Sequence, residues 1–253
     1  MRRLGVVLLS GGLDSTTVAA YAKAAGYELA ALTFNYGQRH RRELEAARRV
    51  AGILEMQHEV VELPAMKKLS WYSALTTGGL GIPKDRTIGD STQGIPATYV
   101  PLRNTVFLTL GAALIESRVL SLIEGGRTDP KEISAAIFIA ANAVDYSGYP
   151  DCRPEYFEAM KWTLFEGSKM GKQYGVSMGI ETPVLHMTKA QIVKLGVELG
   201  APLEDTWSCY EGGDLPCGAC DSCLLRAKGF AEAGIKDPLL ERLRREGKIA
   251  EGQ

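Results

Sequence analysis

The sequence contains no apolar run approaching the roughly 20 residues that cross a bilayer, so no membrane-embedded segment is expected. Nor is there a surplus of charge of either sign: 29 basic residues stand against 30 acidic ones, for a net charge of -1. Tight, sequence-independent binding to nucleic acid draws on a basic surface that releases counterions, and that class is disfavoured. The opening Met1-Arg2-Arg3-Leu4-Gly5 leads into an apolar run that stops at Ser10-Gly11-Gly12. That run is too short for a secretory signal, and a cytoplasmic location is expected. Histidine is scarce, at His40, His58 and His186 only, which leaves little for papain-like catalysis. Internal repeats and low-complexity tracts are absent as well.

What is present suits one large α/β domain, or one domain with a small appendage: 253 residues, 45% hydrophobic and 23% charged. Leu4 to Leu9 is continuously apolar, as in a strand buried on both faces. Ser15 to Ala25 is Ala-rich and closed by Gly26, and Glu28 to Phe34 reads as a second strand. Arg39 to Glu55 has helical periodicity with opposite charges four apart, such as Glu45 and Arg49. Gln57 to Leu63 is a third strand. This alternation predicts a parallel sheet with right-handed crossovers. From Pro64 to Pro101 the periodicity dissolves into Gly, Pro, Thr and Ser, as in a long functional loop. Helices are expected over Asn104 to about Glu116, Arg153 to Gly171 and Lys189 to Gly200, a strand over Ala135 to Ala141, and a short helix running to Gly234. The charged tail after Pro238 reads as a solvated helix or a frayed end.

Ser10-Gly11-Gly12-Leu13-Asp14-Ser15 lies between the first strand and the first helix. A helix N-terminus there offers free N–H groups and the positive end of its dipole. Two glycines let the backbone approach an anion, and two serines add hydroxyls. No Lys-Ser/Thr closes the loop and no G-x-G-x-x-G pattern is present, so it is neither a Walker A nor a Rossmann fingerprint. A carboxylate at Asp14 beside phosphates calls for a magnesium ion or a helix N-terminus to compensate it. The bland alternative is a strand-to-helix turn with Ser or Asp as an N-cap.

Of five cysteines, Cys209, Cys217, Cys220 and Cys223 follow C-x7-C-x2-C-x2-C. Two-residue gaps let neighbouring thiolates face one ion, with Gly218 and Gly212-Gly213 supplying tight turns. Four thiolates suit one closed, structural zinc site; an iron–sulfur cluster takes the same ligands. The fifth, Cys152, lies in Tyr146-Ser147-Gly148-Tyr149-Pro150-Asp151-Cys152-Arg153. That segment follows a predicted strand, where open α/β sheets place ligands. Its tyrosines suit a flat heterocycle, Asp151 a guanine-like edge and Arg153 a carboxylate, although a Pro/Gly turn with an Asp N-cap has the same composition. Cys152 is read as lining a pocket rather than as a nucleophile.

The glycine-rich hexad resembles the SGGxDS signature of the ATP pyrophosphatase (PP-loop) superfamily. That resemblance implies a Rossmann-like, doubly wound, mainly parallel fold of the PP-loop/HUP type. It implies ATP contacts from Leu9, Ser10, Gly11, Gly12, Leu13, Asp14, Ser15, Thr16 and Thr17, and from Thr33, Asn35 and Tyr36 after the second strand. Further segments resemble one family, the QueC-type 7-cyano-7-deazaguanine synthases of queuosine biosynthesis. They are Thr33-Phe34-Asn35-Tyr36 with Gln38-Arg39-His40, Arg103-Asn104, Asp145 to Arg153, Thr182-Pro183, Lys189-Ala190, and Ser208-Cys209-Tyr210 with the last three cysteines. Leu102 stands where that family often has Gly, and Arg118 to Glu132 is longer than is usual there, as a surface insertion would be. The resemblance implies a ligase that converts 7-carboxy-7-deazaguanine and ammonia to the nitrile with two ATP, each cleaved to AMP and pyrophosphate with Mg2+. Ser10, Asp14 and Ser15 would serve the pyrophosphate; Arg103, Asn104, Asp145, Tyr146, Tyr149, Asp151, Cys152 and Arg153 would hold the substrate, and His40, in a matching motif, would touch ATP. Residues 1–205 would form the ATP-binding domain and 206–253 the zinc subdomain. Small molecules are the expected partners, without nucleic acid or membrane; the oligomeric state stays open, a homodimer included. The rival readings are a tRNA thiolase or lysidine-type synthetase, and a non-catalytic zinc- and nucleotide-binding module.

Overall fold

Arg2–Leu8 forms the first strand, β1, and its side chains divide between two cores. Leu4, Val6 and Leu8 enter one apolar cluster while Val7 and Leu9 enter another, as the two-residue period of a doubly covered strand requires. The computed structural model describes residues 1–37, 41–73, 75, 76, 95, 98–144 and 149–250. In it β1 is the central strand of a five-stranded sheet ordered β3-β2-β1-β4-β5, with β2 at Glu28–Asn35, β3 at Gln57–Glu62, β4 at Ile133–Phe138 and β5 at Met178–Glu181. Every neighbouring pair is parallel. The strand order therefore reverses between β1 and β4, and the crevice beyond their carboxyl ends is where such sheets bind ligands.

Parallel pairing demands helical crossovers, and these cover both faces. On one face α1 (Leu13–Ala24), α2 (Arg41–Ile53) and α7 (Lys189–Glu198) bring Val18, Ala47, Val50 and Ile192 onto Val7 and Phe138. On the other, α4 (Arg103–Ile123), α5 (Pro154–Glu166) and α6 (Lys169–Tyr174) bring Leu108, Ile115, Phe157 and Met170 onto Leu4, Val6 and Ile137. The short α3 spans Pro64–Leu69, at the start of the stretch read as a loop. After α7 come α8 (Asp221–Ala233), packed along α7, and α9 (Pro238–Arg245). This is the parallel sheet that the alternation of strands and helices predicts, in the doubly wound α/β architecture that the resemblance implies.

Four expectations change. The helix expected to end near Glu116 continues to Ile123, so residues 118–123 are not a surface insertion: Val119 and Leu122 are buried. The charges that looked like a helix end have jobs, Glu116 accepting from Met170 N at 3.0 Å and Arg118 donating to Gly5 O at 3.0 Å. Long and apolar, α4 has the length and composition of a membrane span, but its buried residues pack on the sheet as in a core helix. The helix expected over 153–171 breaks at Gly167, and Ser168 caps α6 by accepting from Gly171 N. The four-residue β5 carries no strand signal of its own. The charged stretch after Pro238 forms a helix, as expected, but not a fully solvated one, because Leu239 and Leu243, four apart, bury one face of α9 against Ala46 and Trp207.

Candidate active site at the sheet crossover

The loop from Ser10 to Ser15 leaves β1 at the point where the strand order reverses. Gly11 adopts φ +84°, and a Cβ there would lie 2.4 Å from Glu43 O and 2.6 Å from Ala47 N, so only glycine lets α2 pack this close. Ser15 Oγ ties the turn together: it lies 2.9 Å from Ser10 Oγ, accepts from Ser10 N at 3.2 Å and donates to Gly12 O at 3.2 Å. Trp207 N donates to Gly11 O at 2.9 Å and pins the outer side of the loop. Gly12 caps α1 with an extended backbone and no side-chain hydrogen bond, so the first N–H groups of the helix are available to an anion.

Asp14 is compensated by a third means. Lys189 Nζ, at the start of α7, lies 2.9 and 2.7 Å from its two oxygens, with the lysine almost fully buried. The lysine stem rests on Gly229 of α8, where a Cβ would come within 2.3 Å of Lys189 Cγ.

The loop opens into a cavity of about 270 Å³ whose walls include Ser10, Gly12, Leu13, Asp14, Ser15 and Lys189 on one side, and Tyr36, Glu43, Arg103, Asn104, Tyr149 and Cys152 on the other. Asn104, at the start of α4, joins the second wall to the segment before α5. Its backbone N–H donates to Asp151 Oδ2 at 3.2 Å, and its amide donates to Asp151 O at 3.1 Å and to Cys152 Sγ at 3.4 Å. Tyr149 OH lies 2.7 Å from Thr98 Oγ1. Burial opposes the charge of Arg103, but Tyr36, Tyr149, Asp151 and Cys152 around it hold its pKa above the usual value. Burial, with Asp151 adding to it, pushes the Cys152 thiol up to about 11, so a reactive thiolate is disfavoured there. Burial likewise raises the phenols of Tyr36 and Tyr149, and it pushes the Glu43 carboxyl up to about 8 against the pull of Arg103.

Several residues expected at the site are not brought to this cavity. Thr16 and Thr17 are buried in α1, where Thr17 Oγ1 donates to Leu13 O at 3.1 Å. Helical geometry turns them away from the loop that Leu13 and Asp14 flank. Asn35 is held at the sheet edge, donating to Glu62 at 2.8 Å. Thr33 lines the cavity and donates to Leu9 O at 2.6 Å. Arg153 is exposed at the N-terminus of α5, and Asp151 stands behind the wall, bound to Asn104. Asp145, Tyr146, Gln38, Arg39 and His40 lie outside the described residues.

Cys209, Cys217, Cys220 and Cys223 bring their four sulfurs within 4.8 Å of one another, three of the residues being buried. Gly218 has φ +71°, the turn that the short gap between Cys217 and Cys220 needs. Backbone N–H groups of Glu211 and Cys217 point at Cys209 Sγ, and that of Cys220 at Cys217 Sγ, at 3.3 to 3.5 Å. Such donors stabilise thiolates, so the set fits a tetrahedral metal ion.

A family profile described as "Queuosine biosynthesis protein QueC" matches residues 4–234. The chain belongs to the QueC family. The 7-cyano-7-deazaguanine synthase of Thermoplasma acidophilum is 49% identical over 238 residues, covering 94% of this chain and 92% of that protein. The enzyme of the same name from Trichodesmium erythraeum is 45% identical, over 93% of this chain and 99% of its own length. Among solved structures, an NMN synthetase from Francisella tularensis is 18% identical with a TM-score of 0.39, over 98% of this chain and 79% of that one. An NH3-dependent NAD synthetase from Campylobacter jejuni is 16% identical with a TM-score of 0.36, over 99% and 89%.

In this QueC-family chain the cavity also gathers residues that the motifs gave no role: Lys189, Glu43 and Arg226. Arg226 of α8 is buried in the cavity wall, donates to Thr206 Oγ1 at 2.8 Å and forks onto Asp237 at 2.6 and 2.8 Å. The signal for Lys189 was its place in a matching dipeptide; Glu43 and Arg226 looked like ordinary helix-surface charges.

Proposed function

We propose that this enzyme is a 7-cyano-7-deazaguanine synthase, which turns 7-carboxy-7-deazaguanine and ammonia into the nitrile at the cost of two ATP cleaved to AMP and pyrophosphate. The observation that carries this reading is the union, across one cavity, of an anion-binding loop at the sheet crossover with a wall of Arg103, Asn104 and Tyr149, in a member of the QueC family. The loop N–H groups, with the Ser10 and Ser15 hydroxyls, grip the departing pyrophosphate. Lys189 keeps Asp14 in place beside those phosphates and offsets its charge. Arg103 holds the substrate carboxylate towards the α-phosphorus, and Tyr149 offers a ring face to the heterocycle.

Oxide is a poor leaving group, so the carboxylate oxygen first attacks the α-phosphorus and pyrophosphate leaves. Ammonia then displaces AMP to give the amide. The amide oxygen is adenylated in turn, and loss of AMP completes the carbon–nitrogen triple bond. Much of the gain comes from positioning two reactants in one cavity. Magnesium, travelling with ATP, would supply charge neutralisation at the pyrophosphate. The four cysteines would hold zinc in a closed site, which fits a structural rather than a chemical role.

Purified protein incubated with ATP, ammonium and 7-carboxy-7-deazaguanine should release AMP and the nitrile, two AMP for each nitrile. Release of ADP, or AMP formation independent of the carboxylate, would sink the reading. Elemental analysis should return one zinc per chain; iron in its place would overturn the zinc assignment.

A further inference from the structure

Amide formation from ammonia needs a proton acceptor, because ammonium is the prevailing form at neutral pH and has no lone pair. The acidic and phenolic groups of the cavity wall are few. Asp14 is held by Lys189 at 2.7 Å. Tyr36, Tyr149 and Cys152 are pushed up by burial and make poor acceptors. Among the described residues no histidine lines the cavity. Glu43 remains. It sits half-buried in the first turn of α2, whose backbone at Glu43 and Ala47 abuts Gly11 of the phosphate loop, so its distance from the reacting phosphates is fixed by backbone contact.

We propose that Glu43 is the general base of the two ammonia-derived steps, a role that rests on the reaction assigned above. In the first, the Glu43 carboxylate takes a proton from ammonium; the freed nitrogen lone pair forms the C–N bond, the bond from acyl carbon to the AMP oxygen breaks with its electron pair leaving on AMP, and the excess N–H proton of the new amide goes to solvent. The proton passes from Glu43 to solvent before the second adenylation. In the second, the adenylated amide first gives one N–H proton to solvent to become the neutral imidate; Glu43 takes the remaining N–H proton, and that electron pair forms the third C–N bond as the C–O bond breaks and AMP departs with its pair. With the Glu43 carboxyl pushed up to about 8, the proton-accepting carboxylate is the minor form at neutral pH and becomes prevalent above pH 8, so the ammonia-dependent steps speed up as pH rises towards 8. The groups facing it are Tyr36 at the end of β2 and Arg103 of α4. On its own helix Arg42 is engaged with Asp214, and Arg49 with Asp205. His58 of β3 lies near Arg48, a turn further along.

The test is Glu43→Gln in the full chain, with three measurements. Ammonium-dependent nitrile formation should fall by about 10²- to 10⁴-fold, the usual worth of a general base. Carboxylate-dependent exchange of labelled pyrophosphate into ATP should survive, since adenylation involves no ammonia. Hydroxylamine, a free amine at neutral pH, should be converted to the hydroxamate at near the wild-type rate. Retained ammonium-dependent turnover, or an equal loss of exchange and hydroxamate formation, would overturn the role of Glu43. A wild-type chain that shows no carboxylate-dependent exchange would instead overturn the underlying reaction.

Discussion

Leu102 sits at φ 54° and ψ 22°, immediately before α4, and is 62% exposed. A left-handed conformation crowds the Cβ of an L-residue and costs roughly 1–2 kcal/mol, while an exposed leucine returns little by burial. Leu102→Gly should therefore raise stability by about 0.5–1 kcal/mol, once the extra freedom that glycine gives the unfolded chain is deducted. The urea midpoint checks it, and an unchanged or lower value would rule out the strain. Glu43 supplies a second stability effect, this one dependent on pH. The native state keeps its proton up to about pH 8, while the unfolded chain releases it near the ordinary glutamate value. Between those values the native state binds more protons, so the contribution of Glu43 to stability is fully present at low pH and is lost as pH rises towards 8. Glu43→Gln should thus gain on the wild type in thermal midpoint between pH 5 and pH 8, and parallel midpoints would refute the shift. Neither Glu43 nor Lys189 could be given its role from the sequence. Asp14 and Lys189 are 175 residues apart, and their 2.7 Å contact exists only because α7 docks beside α1.

The β1–α1 turn was legible because its glycines and serines lie together in the chain; what it leans on was not. Gly11→Ala would drive a Cβ into the backbone of α2 at 2.4 Å and strain a φ of +84°. Backbone cannot yield as a side-chain tip can, so a loss of at least about 2 kcal/mol is expected, together with loss of ATP-dependent turnover. Circular dichroism with urea titration measures the first and AMP release the second; a variant with full activity would show that the close contact is dispensable. Strands buried on both faces and Ala-rich helices announce themselves by unbroken apolar runs, which is why β1, β2 and β3 could be read. Signals fail where an element is short or its charges are buried in specific contacts. The four residues of β5 gain strand geometry from pairing with β4, and α4 runs past Glu116 because Met170 N and Gly5 O engage its charges. In α9 two leucines among charges were too few to outweigh composition.

At the scale of the whole molecule, the segment after residue 205 is tied to the phosphate loop at two points and braced within itself at a third. Trp207 N holds Gly11 O, α8 supports the stem of Lys189 at Gly229, and Arg226 reaches from the cavity wall to Asp237. Both partners of that last pair are more than nine-tenths buried. Removing one leaves the other charge without its counterion, so Asp237→Ala should cost about 3–5 kcal/mol and free α9 as well, since Asp237 also caps it. Urea unfolding checks this, and a cost under about 1 kcal/mol would place the pair in solvent instead. The same ties predict that the cysteine cluster acts on the ATP site without touching it. Cys209 lies two residues beyond Trp207, so stripping the metal should loosen the Trp207 grip on Gly11 and depress carboxylate-dependent AMP release in step with metal loss. Chelator titration with metal analysis at each point measures both. Gly229→Ala reaches the same site from the other side, because its Cβ would displace the Lys189 stem and break the pair with Asp14 while every cysteine stays in place. Activity should then fall with zinc retained. If metal loss left AMP release intact, or Gly229→Ala kept full turnover, the C-terminal segment would be a passenger on the catalytic sheet rather than part of its active site.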